Sequence, residues 1–133
     1  MLASGLPDII ADPEELARFL FSLSHFNSKS VKPAAFLPSP DHETSVFRHG
    51  AEPREELWIL ATEHAAGMRT VKAAALLNAG QVRIAGLDAV ADEPPPRHAV
   101  LRGWPLNDNP HLQKAQQKER AILLAQAAVL LER

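Results

Sequence analysis

Three consecutive prolines, Pro94–Pro96, and a further one at Pro105 bracket the eight residues Arg97-His98-Ala99-Val100-Leu101-Arg102-Gly103-Trp104, and nothing else in the chain restricts the backbone as tightly. Each proline holds φ near about −65° and removes a donor, so the run reads as a stiff, extended lead into whatever follows. Pro105 cannot continue a hydrogen-bonded ladder, so a strand between the two ends there. Alternation along it places His98, Val100, Arg102 and Trp104 on one face and Arg97, Ala99, Leu101 and Gly103 on the other. The second face suits packing. The first is mixed, polar and basic.

The rest of the chain must fold around that strand. Its 133 residues, 46% apolar and 23% charged, are enough for one globular domain with a sizeable core, residues 1–133, led by a loosely ordered segment 1–11. Asp12-Pro13-Glu14-Glu15 has the form of a helix start, with Leu16, Phe19, Leu20 and Leu23 following at helical spacing. Lys32–Pro38 and Thr44–Arg48 read as two short strands, able to form a hairpin through the turn formers Pro40 and Asp41. Pro53 opens a second helix, with Glu55 and Glu56 in its first turn and Leu57, Leu60, Ala61 and His64 as its inner stripe. Residues 69–75 fit strand and helix alike; a strand is the better fit. A helix from Asn78, stopped at Gly86, and a short strand over Leu87–Val90 follow. Asn107-Asp108-Asn109-Pro110 starts a last helix that the pattern carries nearly to Arg133. Its second half, Ala121–Leu131, is apolar almost all round. Such a helix is either buried across a sheet or meets a partner. The expectation is an α+β fold: a small, mainly antiparallel sheet of three to five short strands with about four helices, the last one long.

Few reaction classes have a signature here. There is no cysteine, which removes disulfides, thiolate nucleophiles and cysteine metal sites, and fits a reducing compartment such as the cytoplasm. The N-terminus has no basic region followed by an apolar run, so no signal peptide is expected, and no stretch approaches the roughly 20 apolar residues of a membrane span. The net charge of −2 gives no basic excess for a phosphate backbone, so nucleic-acid binding is possible but not favoured. The six histidines, His25, His42, His49, His64, His98 and His111, form no HExxH or HxH pattern, so no metal site is expected. The glycines are scattered and give neither a phosphate loop nor a dinucleotide fingerprint, so no cofactor is expected. Thr44 and Ser45 are hydroxyls on a strand, not at a strained elbow.

What remains is the basic strand face. Arg97, His98, Arg102 and Trp104 are the candidate binding residues. His98 with Arg48 and Arg102 is the candidate catalytic set, since guanidinium groups grip a phosphate or carboxylate and an imidazole moves protons near neutral pH. The plainer alternative is an edge strand with a solvated basic face, and Arg48 paired with Asp92 or Glu93.

The stretches Val31–Pro38, Ser45–Arg48, Pro95–Ala99 and Gly103–Pro105, followed by Gln113-Lys114 in the terminal helix, resemble a group of small uncharacterised bacterial proteins. That resemblance implies a bacterial, intracellular, single-domain protein and carries over no catalytic residue. The first functional expectation is therefore a non-enzymatic interaction module or accessory subunit, meeting another protein or itself through Ile122, Leu123, Val129 and Leu130 of the terminal helix. The second is a small enzyme acting on phosphate esters, RNA among them, or a nucleic-acid-binding protein, through the Arg/His strand face.

Overall fold

The computed structural model describes residues 2–49 and 52–133. Along the chain run β1 (Glu15–Leu20), β2 (Thr44–Arg48), α1 (Arg54–Leu60), β3 (Ala73–Asn78), α2 (Ala79–Ile84), β4 (Asp88–Ala91), β5 (His98–Arg102), α3 (Pro110–Ala127) and β6 (Val129–Glu132). The strands form one antiparallel sheet in the order β4-β5-β2-β1-β3-β6. The α+β class holds, but the described residues form six strands where three to five were expected, and three helices where about four were.

The sheet is covered on both faces. On one, Leu16, Leu20, Val46, Leu77 and Leu101 pack with Val82 of α2, Ala121 and Leu124 of α3, and Phe36. On the other, Ala17, Phe19, Phe47 and Leu76 pack with Leu57 and with Ala61, which follows α1. Ala73, Ala74 and Ala75 are all buried, as a strand sandwiched between two layers requires.

This double burial overturns the first helix. Leu16, Phe19 and Leu20 do recur at helical spacing, but Glu15–Leu20 is a central strand that sends Leu16 and Leu20 to one layer and Ala17 and Phe19 to the other. The acids that looked like a cap bind arginines instead: Asp12 takes Arg83 and Glu14 takes Arg48. The hairpin is also absent. Pro33–Ala35 is a single 3₁₀ turn, and β2 pairs with β1 and β5. The terminal helix stops at Ala127; Ala128 turns extended (ψ 145°), and Val129–Glu132 pairs with β3. Of the four residues assigned to a partner-meeting helix face, Val129 and Leu130 thus belong to an edge strand. The lead-in has neither helix nor strand, yet it is tied down: Ile10 is buried, and the Pro7 and Ile10 carbonyls accept from Arg48 and Arg83. Met1, its first residue, lies outside the described residues.

Other elements match the reading. α1 and the turn after it carry Leu57 and Ala61 inward, although His64 stays at the surface. Asn78 caps α2 in a reciprocal capping box with Gln81, and Gly86 ends it at φ +86°. The strand over Leu87–Val90 appears as β4, one residue further on.

Candidate anion pocket

The expected catalytic set does not assemble. Arg48 shares the face of Val46 and is fully buried, with a bidentate pair to Glu14 and a bond to the Pro7 carbonyl at 2.7 Å. It is a core cation, neutralised by a different acid from either Asp92 or Glu93. Arg102 reaches outward to Glu43 at 3.0 Å. Arg97, at φ +67°, turns away to Glu52 (2.8 Å) and the carbonyls of Arg48 and His49, because Pro94–Pro96 is bent rather than extended. Gly103, at φ +90°, breaks the alternation after β5, so Trp104 joins the opposite core layer and donates Nε1–H to the Leu101 carbonyl at 3.1 Å. Of the expected binding residues, Arg97 lines a pocket of about 240 Å³ that is rich in carboxylates, with Glu52, Glu56 and Glu63, and His98 lines a separate one that has none.

That pocket, about 420 Å³, opens on the face covered by α1. Phe19 and Phe47 floor it, Phe21 and His25 close the end of β1, Ser45 and His98 form one wall, and His64, Ala65 and Arg69 form the other. His64 and Ala65 get there through a π turn over Ala61–Ala65, in which Ala66 N–H bonds the Ala61 carbonyl at 2.8 Å. Such turns re-aim side chains at the end of a helix.

Arg18 is the residue that the helical misreading concealed. β1 and β2 pair at Leu16–Arg48 and Ala17–Phe47 and then part. Arg18 fills the gap, donating Nε–H to the Ala35 carbonyl at 2.9 Å and Nη1–H to the Ser45 carbonyl at 2.8 Å. Arg69 stacks on Phe21, 3.9 Å from the ring centre, and bonds the carbonyls of Ala65 and Ala66. Among the described residues neither arginine forms an ion pair, and no carboxylate lines this pocket. The electrostatic result is visible in two groups. Burial, and then the charge of Arg69, lower the pKa of Arg18. Burial, and then Arg18, lower that of His25. Burial is the larger cause of both shifts; the smaller is the neighbouring arginine's positive charge.

His98 sits at the edge of this field. Its Nε2 is 2.5 Å from Ser45 Oγ, and its Nδ1 is 2.9 Å from the Asp92 carbonyl and 3.3 Å from Asp92 Oδ2. The edge-on Phe47 ring, 5.3 Å between centres, braces the imidazole. Both partners at Nδ1 are acceptors, so Nδ1 carries the proton, and Nε2 is left as the acceptor for the Ser45 hydroxyl.

Among the described residues no group of three or more histidine or acidic side chains is placed to hold a metal ion, and His42, His49 and His98 do not meet. No helix there is long and apolar enough to cross a membrane. No family model, no curated protein and no solved structure matches the chain.

Sequence reasoning singled out His98 but missed Arg18, Arg69 and His25. A charged residue inside the buried run Leu16-Ala17-Arg18-Phe19-Leu20 was the available signal. On a helix Arg18 falls on the solvent side and needs no explanation; on a two-sided strand it must be satisfied.

Proposed function

We propose that the protein acts on small phosphate esters, with Arg18 and Arg69 holding the phosphate and His98 moving the proton. The observation that carries this is the pair of guanidinium groups, free of any carboxylate, on the same pocket as His98. Guanidinium donors match phosphate oxygens in geometry and charge; Arg18 is half-buried, where such a contact counts for more than on an open surface, and Arg69 adds an exposed second guanidinium. The phenylalanine floor suits an ester whose alcohol carries an aromatic ring, a nucleoside or an aryl group. A net charge of −2 gives no long-range attraction for a polynucleotide, so a mononucleotide-sized ester fits better than an RNA chain.

Inorganic phosphate and an aryl phosphate are the direct probes. Phosphate binds by titration calorimetry, and Arg69→Gln weakens it roughly ten- to hundredfold, the value of one hydrogen bond to a charged group. His98→Gln lowers aryl phosphate turnover by at least about a hundredfold while leaving phosphate binding in place. Absence of both binding and turnover retires this reading.

A second reading, the interaction module, is favoured by one observation. β6 lies at the edge of the sheet with Val129 65% exposed, and Leu123 on the helix before it is exposed too. On this reading a second copy adds its own edge strand to β6.

A further inference from the structure

Building on the phosphate-ester reading, we infer that Ser45 is a covalent nucleophile, activated by His98 and oriented through Asp92, that takes the phosphoryl group from a phosphate monoester. Three observations meet here. The Ser45 hydroxyl is 2.5 Å from the one imidazole nitrogen free to accept its proton. The other nitrogen donates to the Asp92 carbonyl at 2.9 Å, with the Asp92 carboxylate 3.3 Å away. Ser45 is exposed and lines the arginine pocket, so its oxygen is open to a bound ester, whereas His98 is largely shielded, its side chain 15% exposed. Nucleophile, base and orienting acid in sequence contact are the arrangement that makes a weak hydroxyl reactive. The backbone reinforces it. Phe47 is paired with His98, and Ser45, two residues before Phe47, projects from the same face of β2. Arg18, bonded to the Ser45 carbonyl, ties the phosphate-holding group to the nucleophile's own peptide unit.

The chemistry balances without a co-reactant other than water. Ser45 Oγ attacks phosphorus, its proton passes to His98 Nε2, and the bond from phosphorus to the alcohol oxygen breaks. The proton then goes from His98 to the departing alkoxide, which leaves as the alcohol. Water next gives a proton to His98 and attacks the phosphoserine. The phosphorus–Oγ bond breaks, His98 returns the proton to Ser45, and inorganic phosphate leaves. Arg18 and Arg69 face the phosphate oxygens through both steps.

A fluorophosphonate tests the serine directly, because an activated hydroxyl displaces fluoride and keeps the phosphonyl group. The full chain is treated with the probe and read by intact mass and peptide mapping. The expected result is one adduct per chain, at Ser45, forming at least about a hundredfold more slowly in His98→Gln. Ser45→Ala, a small change on an exposed strand position, keeps its circular dichroism spectrum and is not labelled. No adduct, an adduct on another serine, or equal labelling of His98→Gln overturns the inference. Inorganic phosphate titration of the untreated protein separates the two proposals. Phosphate binding without labelling removes the nucleophile and leaves the phosphate site standing. Labelling of Ser45 with neither phosphate binding nor aryl phosphate turnover removes the phosphate reading, and with it the phosphoryl transfer, and leaves only an activated serine.

Discussion

At the scale of single residues, the two arginines of the central strands divide the work of fold and site. Arg48 is fully buried and belongs to the core; its guanidinium is met by both oxygens of Glu14 and by the Pro7 carbonyl. Removing one member of such a pair strands the other charge in a low dielectric, so Arg48→Ala destabilises the protein by about 3–5 kcal/mol, measurable by urea unfolding. A loss below about 1 kcal/mol, the size of an exposed pair, would show that water reaches Glu14 in the folded protein. Arg18, by contrast, satisfies only two carbonyls and keeps its charge uncompensated, which is what makes it available to an anion. Both are arginines on half-apolar strands, and nothing in their local sequence tells them apart. Pairing with Glu14, some thirty residues away in the chain, makes the difference for Arg48.

At the scale of elements, the features that were legible are those set by local chemistry. Asn78 and Gly86 mark α2 at both ends, because a side-chain acceptor for free N–H groups and a residue at positive φ are needs of the helix itself. Asn109 and Pro110 start α3 for the same reason. The failures lie where partners are distant. Residues 15–20 fit both periods, and burial on two faces chose the strand. Val129–Glu132 left the helical pattern because β3 offered an unpaired edge. That last strand also carries the interaction reading. If β6 pairs with its counterpart in a second copy, light scattering gives a dimer, and Val129→Lys, a charge on the exposed edge, returns it to a monomer. A wild-type chain that stays monomeric at high micromolar concentration removes this reading.

At the scale of the whole molecule, one buried imidazole, His49, and one partly buried, His25, set how stability responds to acid. Burial, and then Arg18, lower the pKa of His25; burial is the main cause for His49 too, with Glu15 opposing it. In the unfolded chain both take up protons near about pH 6.5, before the folded chain does. The unfolded state then binds more protons, so stability is fully present above that pH and declines as the pH falls through it toward the folded values. A second decline belongs to Asp88, whose pKa Arg83 lowers by hydrogen bonding; its contribution is present above about pH 4 and lost below. Thermal unfolding from pH 8 to 3 should therefore show two steps. A flat profile between pH 7 and about 5.5 would mean that His25 and His49 are solvated in the folded protein.

The α+β class, the course of β2 and β5 through the apolar alternation of Thr44–Arg48 and His98–Arg102, and the ends of α2 were determined by the sequence alone. Each depends on neighbours a few positions away, where spacing and side-chain chemistry act directly. Tertiary structure alone decided that Glu15–Leu20 is a strand, that the chain closes on β6, and that Arg18, Arg69, Ser45 and His98 share one pocket. Those outcomes depend on which faces end up covered and which sheet edge is left open, and a strand's burial on both sides is a property of what packs against it.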